Sequence, residues 1–368
     1  MTIVIAGGGT GGHTSPGLAV ATLLRARGVD HAWIGSRDGV EARRAPEAGI
    51  PYHAIATGKL RRYWAWRNVT DLAINVPAGI VGAHILLRRL RPRVVLATGG
   101  FVALPVVLAA ALARIPVVVH EQTAVPGLAN RIAARGARRI AVTFAESGRH
   151  FPADRVVVTG NPLRPDLRAG SRADAVTRFG LDPALPLVYV TGGALGAHAV
   201  NRLVGEIAGA LLEHAHVIHQ CGDNPVTGDR AWLQARRDAL PPALARRYTV
   251  QPWVGAELAG IYATASLVVA RSGAGTVNEC CQLGLPALYI PMPGASGDEQ
   301  TANARLVERA GGCAIAPQAS LTPALLLERI QSLLAEPARL KDMGERARAL
   351  AIPDAADRLV NVLLDVAG

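Results

Sequence analysis

Thr2-Ile3-Val4-Ile5-Ala6-Gly7-Gly8-Gly9-Thr10-Gly11-Gly12-His13 reads as a short buried strand running straight into a glycine-rich turn. A helical pattern follows. Val20, Leu23 and Leu24 give it an apolar face, Ser15 and Pro16 suit its N-cap and first position, and Gly28 suits its end. Glycines at such a turn let backbone N–H groups approach a ligand at the positive end of a helix dipole. The same grammar recurs along the chain. Val94–Ala97 lead to Gly99-Gly100, Leu187–Thr191 to Gly192-Gly193, and Leu267–Ala270 to Gly273. Val117–His120, Arg139–Val142, Val156–Thr159, His216–His219 and Ala287–Ile290 read as further strands. Strands alternating with helices predict βαβ units, parallel sheets, and ligands at the carboxyl edges of those sheets.

The 368 residues exceed one ordinary core and suit two α/β domains. The Pro-rich turn Gly160-Asn161-Pro162-Leu163-Arg164-Pro165 marks the expected boundary. We expect Rossmann-like halves over residues 1–160 and 161–345. A last segment, 346–368, carries a helix near Ala355–Val366 that is expected to pack back on the first half. The cysteines Cys221, Cys280, Cys281 and Cys313 have no C-x-x-C or Cys/His zinc spacing, which fits buried thiols in a reducing compartment.

With 39 basic against 28 acidic residues the formal charge is +11, which favours anionic partners. Lys59, Arg61, Arg62 and Arg67 flank Trp64 and Trp66, and Arg88, Arg89, Arg91 and Arg93 follow the apolar stretch Leu72–Leu87. That stretch holds Asn75, Pro77 and His84 and is too short and polar for a membrane span. Basic residues beside tryptophans and aliphatics suit docking on an anionic lipid surface, with no nucleic-acid partner. The first residues show no basic leader and no cleavage site. The expected location is therefore cytoplasmic, peripheral on the inner membrane face.

Gly7-x-Gly9-x-x-Gly12 also satisfies the dinucleotide fingerprint, yet Trp33-Ile34-Gly35 ends the second strand without the acid that NAD requires. Arg37 would suit NADP, so an oxidoreductase stays open. Two more glycine turns, Thr191-Gly192-Gly193-Ala194-Leu195-Gly196 and Arg271-Ser272-Gly273-Ala274-Gly275-Thr276, favour an enzyme that holds a nucleotide diphosphate in a cleft. Thr276-x-x-Glu279 has two readings: a capping box, or a carboxylate placed to accept both hydroxyls of a ribose.

Together these motifs resemble the MurG family of peptidoglycan GlcNAc transferases. Gly8–His13 and Thr98-Gly99-Gly100-Phe101 are similar to its first two loops. His120-Glu121-Gln122, with Pro126–Asn130, resembles the segment that lines its cleft, and Gly160–Arg164 its linker. Arg271–Glu279 and Gly297–Ala304 resemble its donor signature. The resemblance implies a GT-B fold and transfer of GlcNAc from UDP-GlcNAc to the MurNAc 4-hydroxyl of lipid I. It implies no metal and no other cofactor, in keeping with the missing Asp-x-Asp motif. Glu279 would hold the ribose and Gln300, with Glu299, the sugar. Thr276 and Arg164 would lie near the diphosphate, and Val254 would offer its backbone to uracil. Ala194, Ala274 and Gly275 complete that donor set, with Thr10, Gly11, Gly12 and Thr123 from the first half. Thr10, His13 and Glu121 would face the acceptor, and His13 or Glu121 would be the catalytic base.

The chain departs from the family at Thr123, where Asn is usual, Ala194 (Ser), His198 (Arg) and Gly275 (Leu). A lost donor to a buried ligand oxygen costs about 1–3 kcal/mol. A paralogue acting on another acceptor, or a UDP-sugar epimerase, is the alternative; a binding protein without turnover is a further one.

Overall fold

The computed structural model describes residues 1–58, 74–294 and 296–368. The basic and tryptophan-rich residues Lys59, Arg61, Arg62, Trp64, Trp66 and Arg67, and the start of the Leu72–Leu87 stretch, lie outside the described residues.

The chain forms two compact units. Met1–Arg164 with Ile352–Gly368 make unit 1, and Pro165–Ala351 make unit 2. The exchanges thus fall after 164 and 351, where the sequence suggested 160 and 345.

Unit 1 is built on seven parallel strands: β1 (Thr2–Gly7), β2 (Asp30–Ser36), β3 (Tyr52–Ile55), β4 (Val94–Gly99), β5 (Val117–Glu121), β6 (Arg139–Val142) and β7 (Val156–Val158). Their order is β3-β2-β1-β4-β5-β6-β7. Strand periodicity sorts the side chains onto two faces. Val4, Ala6, Val95 and Ala97 join Ala83, Leu87 and Val106 from helices Val76–Leu90 and Ala103–Leu112. Ile3, Ile5, Val94 and Leu96 join Val20 and Leu24 of helix Gly11–Ala26 and Leu359, Val360 and Leu363 of helix Ala355–Ala367. The last helix is therefore a structural part of unit 1.

Unit 2 repeats the plan with β8 (Leu187–Thr191), β9 (His216–Gln220), β10 (Tyr248–Gln251), β11 (Leu267–Ala270), β12 (Ala287–Tyr289) and β13 (Cys313–Ile315). All pair in parallel, in the order β10-β9-β8-β11-β12-β13. Val188, Val190, Val217, Val269 and Leu288 pack with Val200, Val204 and Leu211 of helix His198–Leu212 and with Leu326 and Ile330 of helix Pro323–Leu334. β3, β10 and β13, which the sequence pattern did not single out, are short sheet-edge strands. The strand order changes direction between β1 and β4 in unit 1 and between β8 and β11 in unit 2, successive strands being added on one side and then on the other. These are the switch points where open α/β sheets bind ligands.

Candidate active site

At the unit 1 switch point, Gly7 of β1 pairs with Gly99 of β4, bringing both glycine turns together. Gly100 sits at φ +80°, and a Cβ there would press into the carbonyl oxygen of Gly8, so only glycine fits. The helix begins at Gly11, earlier than Ser15 and Pro16 suggested. Thr10 is the N-cap, its hydroxyl accepting from the His13 N–H, and Pro16 lies inside the helix, still in its early turns. His13 is thereby carried in the first turn, against Gly99 and Gly100.

The surroundings of His13 fix its tautomer. Its Nδ1 lies 3.1 Å from the Thr98 carbonyl oxygen, which can only accept, so Nδ1 carries the proton and donates. Gln122 Nε2 donates to the same oxygen at 3.0 Å. The lone pair therefore belongs to Nε2. Burial lowers the pKa of His13 below the ordinary histidine value, against opposing contributions from Thr98 and Glu41. His13 lines a cavity of about 470 Å³ together with Gly9, Thr10, Arg37, Gly100 and Phe101.

Glu121, the other candidate base, is 2% exposed. Its Oε1 accepts from the Thr123 backbone N–H (2.9 Å) and lies 2.6 Å from the Thr123 hydroxyl; its Oε2 accepts from Asn130 Nδ2 (2.8 Å). Burial raises its pKa, partly countered by these donors. The Thr123 hydroxyl lies between Glu121 Oε1 and the Val125 carbonyl (2.7 Å), so it is occupied within the loop. His120 donates from Nε2 to the Gly160 carbonyl at 3.1 Å, and burial lowers its pKa to about 4.

Sequence reasoning missed Glu41. This fully buried carboxylate accepts from Gly9 N–H (2.8 Å), Ser36 N–H (3.0 Å) and Ser36 Oγ (2.5 Å). It thus places negative charge directly beneath the first glycine turn. An acid does serve the second strand after all, but it binds the protein's own backbone, 32 residues away in sequence.

At the unit 2 switch point, Gly193 (φ +82°) is tied by neutral groups. Its N–H donates to Thr191 Oγ1 (3.0 Å) and its carbonyl accepts from Gln220 Nε2 (3.2 Å). Ala194 follows, exposed. Across the switch, helix Ala274–Leu283 opens on Gly273 with no side-chain cap. The capping box therefore does not form: Thr276 lies within the first turn, and Glu279 instead accepts from the Tyr262 hydroxyl at 2.7 Å. Ser272 Oγ donates to the Gln300 carbonyl (2.8 Å), and Gln300 Oε1 accepts from Met292 N–H (3.0 Å). Arg271 is spent on the fold: it donates to the Ile290 and Pro291 carbonyls and to Gln318 Oε1. Val254 is buried after β10. Unit 2 thus gathers Ala274, Gly275, Thr276, Glu279 and Gln300, while Thr10, Gly11, Gly12, His13, Glu121 and Thr123 belong to unit 1, and Arg164 is its last residue before unit 2. Among the described residues, no three His, Cys, Asp or Glu side chains gather into a metal-binding group.

Comparison with known proteins matches both units. Residues 3–142 fit the glycosyltransferase family 28 N-terminal domain and residues 187–359 the family 28 C-terminal domain. The chain is 36% identical, over 100% of its length and 99% of the relative, to a protein of Halothermothrix orenii named UDP-N-acetylglucosamine--N-acetylmuramyl-(pentapeptide) pyrophosphoryl-undecaprenol N-acetylglucosamine transferase. A protein of the same name from Nocardioides sp. is 38% identical over 100% of this chain and 98% of its own length. The crystal structure of Acinetobacter baumannii MurG superposes with a TM-score of 0.74 at 30% identity, covering 99% of each chain. UDP-GlcNAc 2-epimerase from Neisseria meningitidis, at 15% identity and a TM-score of 0.68, shares the fold alone.

Proposed function

We infer the chemistry from the family: this chain belongs to the MurG family, glycosyltransferases built from family 28 N- and C-terminal domains. It is a UDP-sugar glycosyltransferase that moves GlcNAc from UDP-GlcNAc onto lipid I, giving lipid II in peptidoglycan synthesis. The full-length match to relatives of that name carries this conclusion.

Our assignment of residues gives the acceptor to unit 1 and the donor chiefly to unit 2. His13 is the base. Its Nε2 lone pair takes the proton of the MurNAc 4-hydroxyl while that oxygen attacks the anomeric carbon and the bond to UDP breaks. In-line displacement turns the α-linked donor into a β-linked product; an α-linkage found by NMR would refute it. The support for His13 is its fixed tautomer and its place on a cavity wall. Glu121 serves as the buried anchor of the loop that holds Thr123.

On the donor side, Glu279 takes the ribose hydroxyls, Gln300 Nε2 a sugar hydroxyl, and the Val254 main chain the uracil. Ala194, Ala274, Gly275 and Thr276, with Arg164, flank the diphosphate, whose growing charge the start of helix Ala274–Leu283 stabilises. Thr10, Gly11, Gly12 and Thr123 complete the donor contacts from unit 1.

The enzyme works as a peripheral protein on an anionic membrane surface. Among the described residues no helix is long and apolar enough to cross a membrane. Yet Val81 and Ile85 (62% exposed) on helix Val76–Leu90, Leu112 (70%) on helix Ala103–Leu112, and Leu128 stand in water. Arg88, Arg89, Arg91, Arg114, Arg131 and Arg135 are exposed on the same packed helices or just beyond their ends. Exposed apolar residues and cations on neighbouring helices suit an anionic bilayer. Sedimentation with anionic but not neutral vesicles, lost in Ile85→Glu/Leu112→Glu, checks this.

The test of function is transfer of label from UDP-GlcNAc into a lipid I analogue, with UDP-GalNAc, UDP-glucose and UDP-glucuronic acid in parallel. Transfer from UDP-GlcNAc alone is expected. Transfer only from another sugar, or to another acceptor, would overturn the assignment and make Thr123 and Ala194 marks of a paralogue.

A further inference from the structure

Behind the donor residues of unit 2 lies a buried layer of hydroxyl and amide groups. Tyr262, on helix Leu258–Thr264, is 3% exposed, and its hydroxyl donates to Glu279 Oε2 at 2.7 Å. Its ring meets the ring of Tyr189 edge to face, with centroids 5.6 Å apart and planes at 83°. The Tyr189 hydroxyl, on β8, donates to Gln220 Oε1 (2.8 Å), and Gln220 Nε2 donates to the Gly193 carbonyl (3.2 Å). One rigid stack therefore supports both the carboxylate and the glycine turn.

We propose that Tyr262 is a positioning residue that holds Glu279 for the 2′- and 3′-hydroxyls of the donor's ribose, and so sets the enzyme's preference for ribonucleotides. The proposal rests on the reading of Glu279 as the ribose-binding carboxylate. A carboxylate on a helix side chain has free χ torsions, and two vicinal hydroxyls demand one orientation of its plane. Fixing one oxygen with a buried donor removes that freedom before the ligand arrives. The donor is constant as well. Burial and the Glu279 charge push the Tyr262 phenol well above its ordinary pKa, so the O–H persists at every working pH. Tyr262 touches Glu279 and is buried away from solvent, so it acts through the carboxylate.

The experiment is the ratio of affinities for UDP and 2′-deoxy-UDP, measured by calorimetry on the full chain for wild type, Tyr262→Phe, Glu279→Gln and Tyr189→Phe. Wild type is expected to prefer UDP. Glu279→Gln abolishes the preference. Tyr262→Phe cuts it roughly ten-fold, the size of one hydrogen bond to a charged group. Tyr189→Phe, which disturbs the same stack without touching Glu279, leaves the ratio unchanged. With UDP-GlcNAc as substrate, Tyr262→Phe raises KM and spares kcat. If Tyr262→Phe weakens UDP and 2′-deoxy-UDP equally, or leaves both unchanged, Tyr262 merely packs the core and the proposal fails. If wild type binds UDP and 2′-deoxy-UDP alike, the reading of Glu279 itself fails.

Discussion

The two glycine-rich turns stand at equivalent switch points and carry opposite electrostatics. Beneath the turn of unit 1 sits the Glu41 carboxylate, which has already claimed the Gly9 N–H. Beneath the turn of unit 2 sit the neutral Thr191 hydroxyl and Gln220 amide. A nucleotide diphosphate brought to the first turn would meet a carboxylate in low dielectric, where like charges repel strongly. At the second it meets oriented dipoles and a helix N-terminus. Identical topology therefore does not mean identical ligands. The acid beneath the loop also argues against a dinucleotide at Gly7–Gly12, since the fingerprint's backbone donor is consumed internally.

The sharpest way to break this division of labour is His13→Ala. A general base contributes roughly 10²- to 10⁴-fold. The variant should lose turnover on that scale and keep its affinity for UDP, which unit 2 supplies. A parallel loss of UDP binding, read by calorimetry, would show that the halves do not divide the work this way. Next in size is Glu41→Ala, which strands the Gly9 N–H, the Ser36 N–H and the Ser36 hydroxyl. Gly9 is exposed and Ser36 half-buried, so water replaces part of each lost bond, and each stranded donor costs about 1 kcal/mol. Thermal unfolding should shift down by the equivalent of several kcal/mol in total, with UDP affinity intact.

A third test uses pH. His13 and His120 in unit 1 and His219 in unit 2 all have lowered pKa values, chiefly from burial, with His120 at about 4 and His219 at about 3. Each is neutral in the folded state and protonates near 6.5 when unfolded. The unfolded chain thus binds more protons below pH 6.5, and stability falls as pH drops. The slope is about 1.4 kcal/mol per pH unit for each group, ending near pH 4 for His120 and pH 3 for His219. Urea unfolding between pH 7 and 4 measures it, and His219→Gln should reduce the unit 2 share, leaving the part due to His216, whose pKa burial also lowers. Lipid II formation should likewise fall as acid protonates His13, while UDP binding holds.

Much of this was legible in the sequence. The central strands announced themselves because both faces are buried, giving the unbroken apolar runs Thr2–Ala6, Val94–Ala97 and Leu187–Thr191. β3 and β10 lacked that signal because Tyr52–Ile55 and Tyr248–Gln251 mix polar residues into the run, and β13 because Cys313–Ile315 is only three residues long, whereas the edge strand β7 stayed readable as Val156-Val157-Val158. Gly28 and the glycine turns were readable from backbone need alone. Glu41, Tyr262 and Gln220 were not: their partners lie 17 to 32 residues away, and only the sheet order brings them together. One helix start was misjudged and another left with two readings for a related reason. Ser15 and Thr276 look like cap residues locally, but the switch-point turns hand the chain into each helix earlier, at Gly11 and Ala274.

The open reading of Thr276 gives the smallest test, and it separates two meanings of one residue. Thr276 does not cap its helix, and Glu279 is turned to Tyr262, so the hydroxyl of Thr276 has no part in starting the helix. If Thr276 served the fold as an N-cap, Thr276→Val would cost about 1 kcal/mol. With Gly273 at that position, we expect a change in unfolding free energy under about 0.5 kcal/mol. If Thr276 instead meets the diphosphate, the same variant weakens UDP by roughly the worth of one hydrogen bond and leaves uridine, which lacks the phosphates, unaffected. The comparison with Thr10 completes it. Thr10 is a true N-cap in unit 1, so Thr10→Val should lower stability and weaken UDP less than Thr276→Val does. A reversed pattern, with Thr276→Val unfolding early and Thr10→Val binding UDP poorly, would mean that the two turns had been given each other's roles.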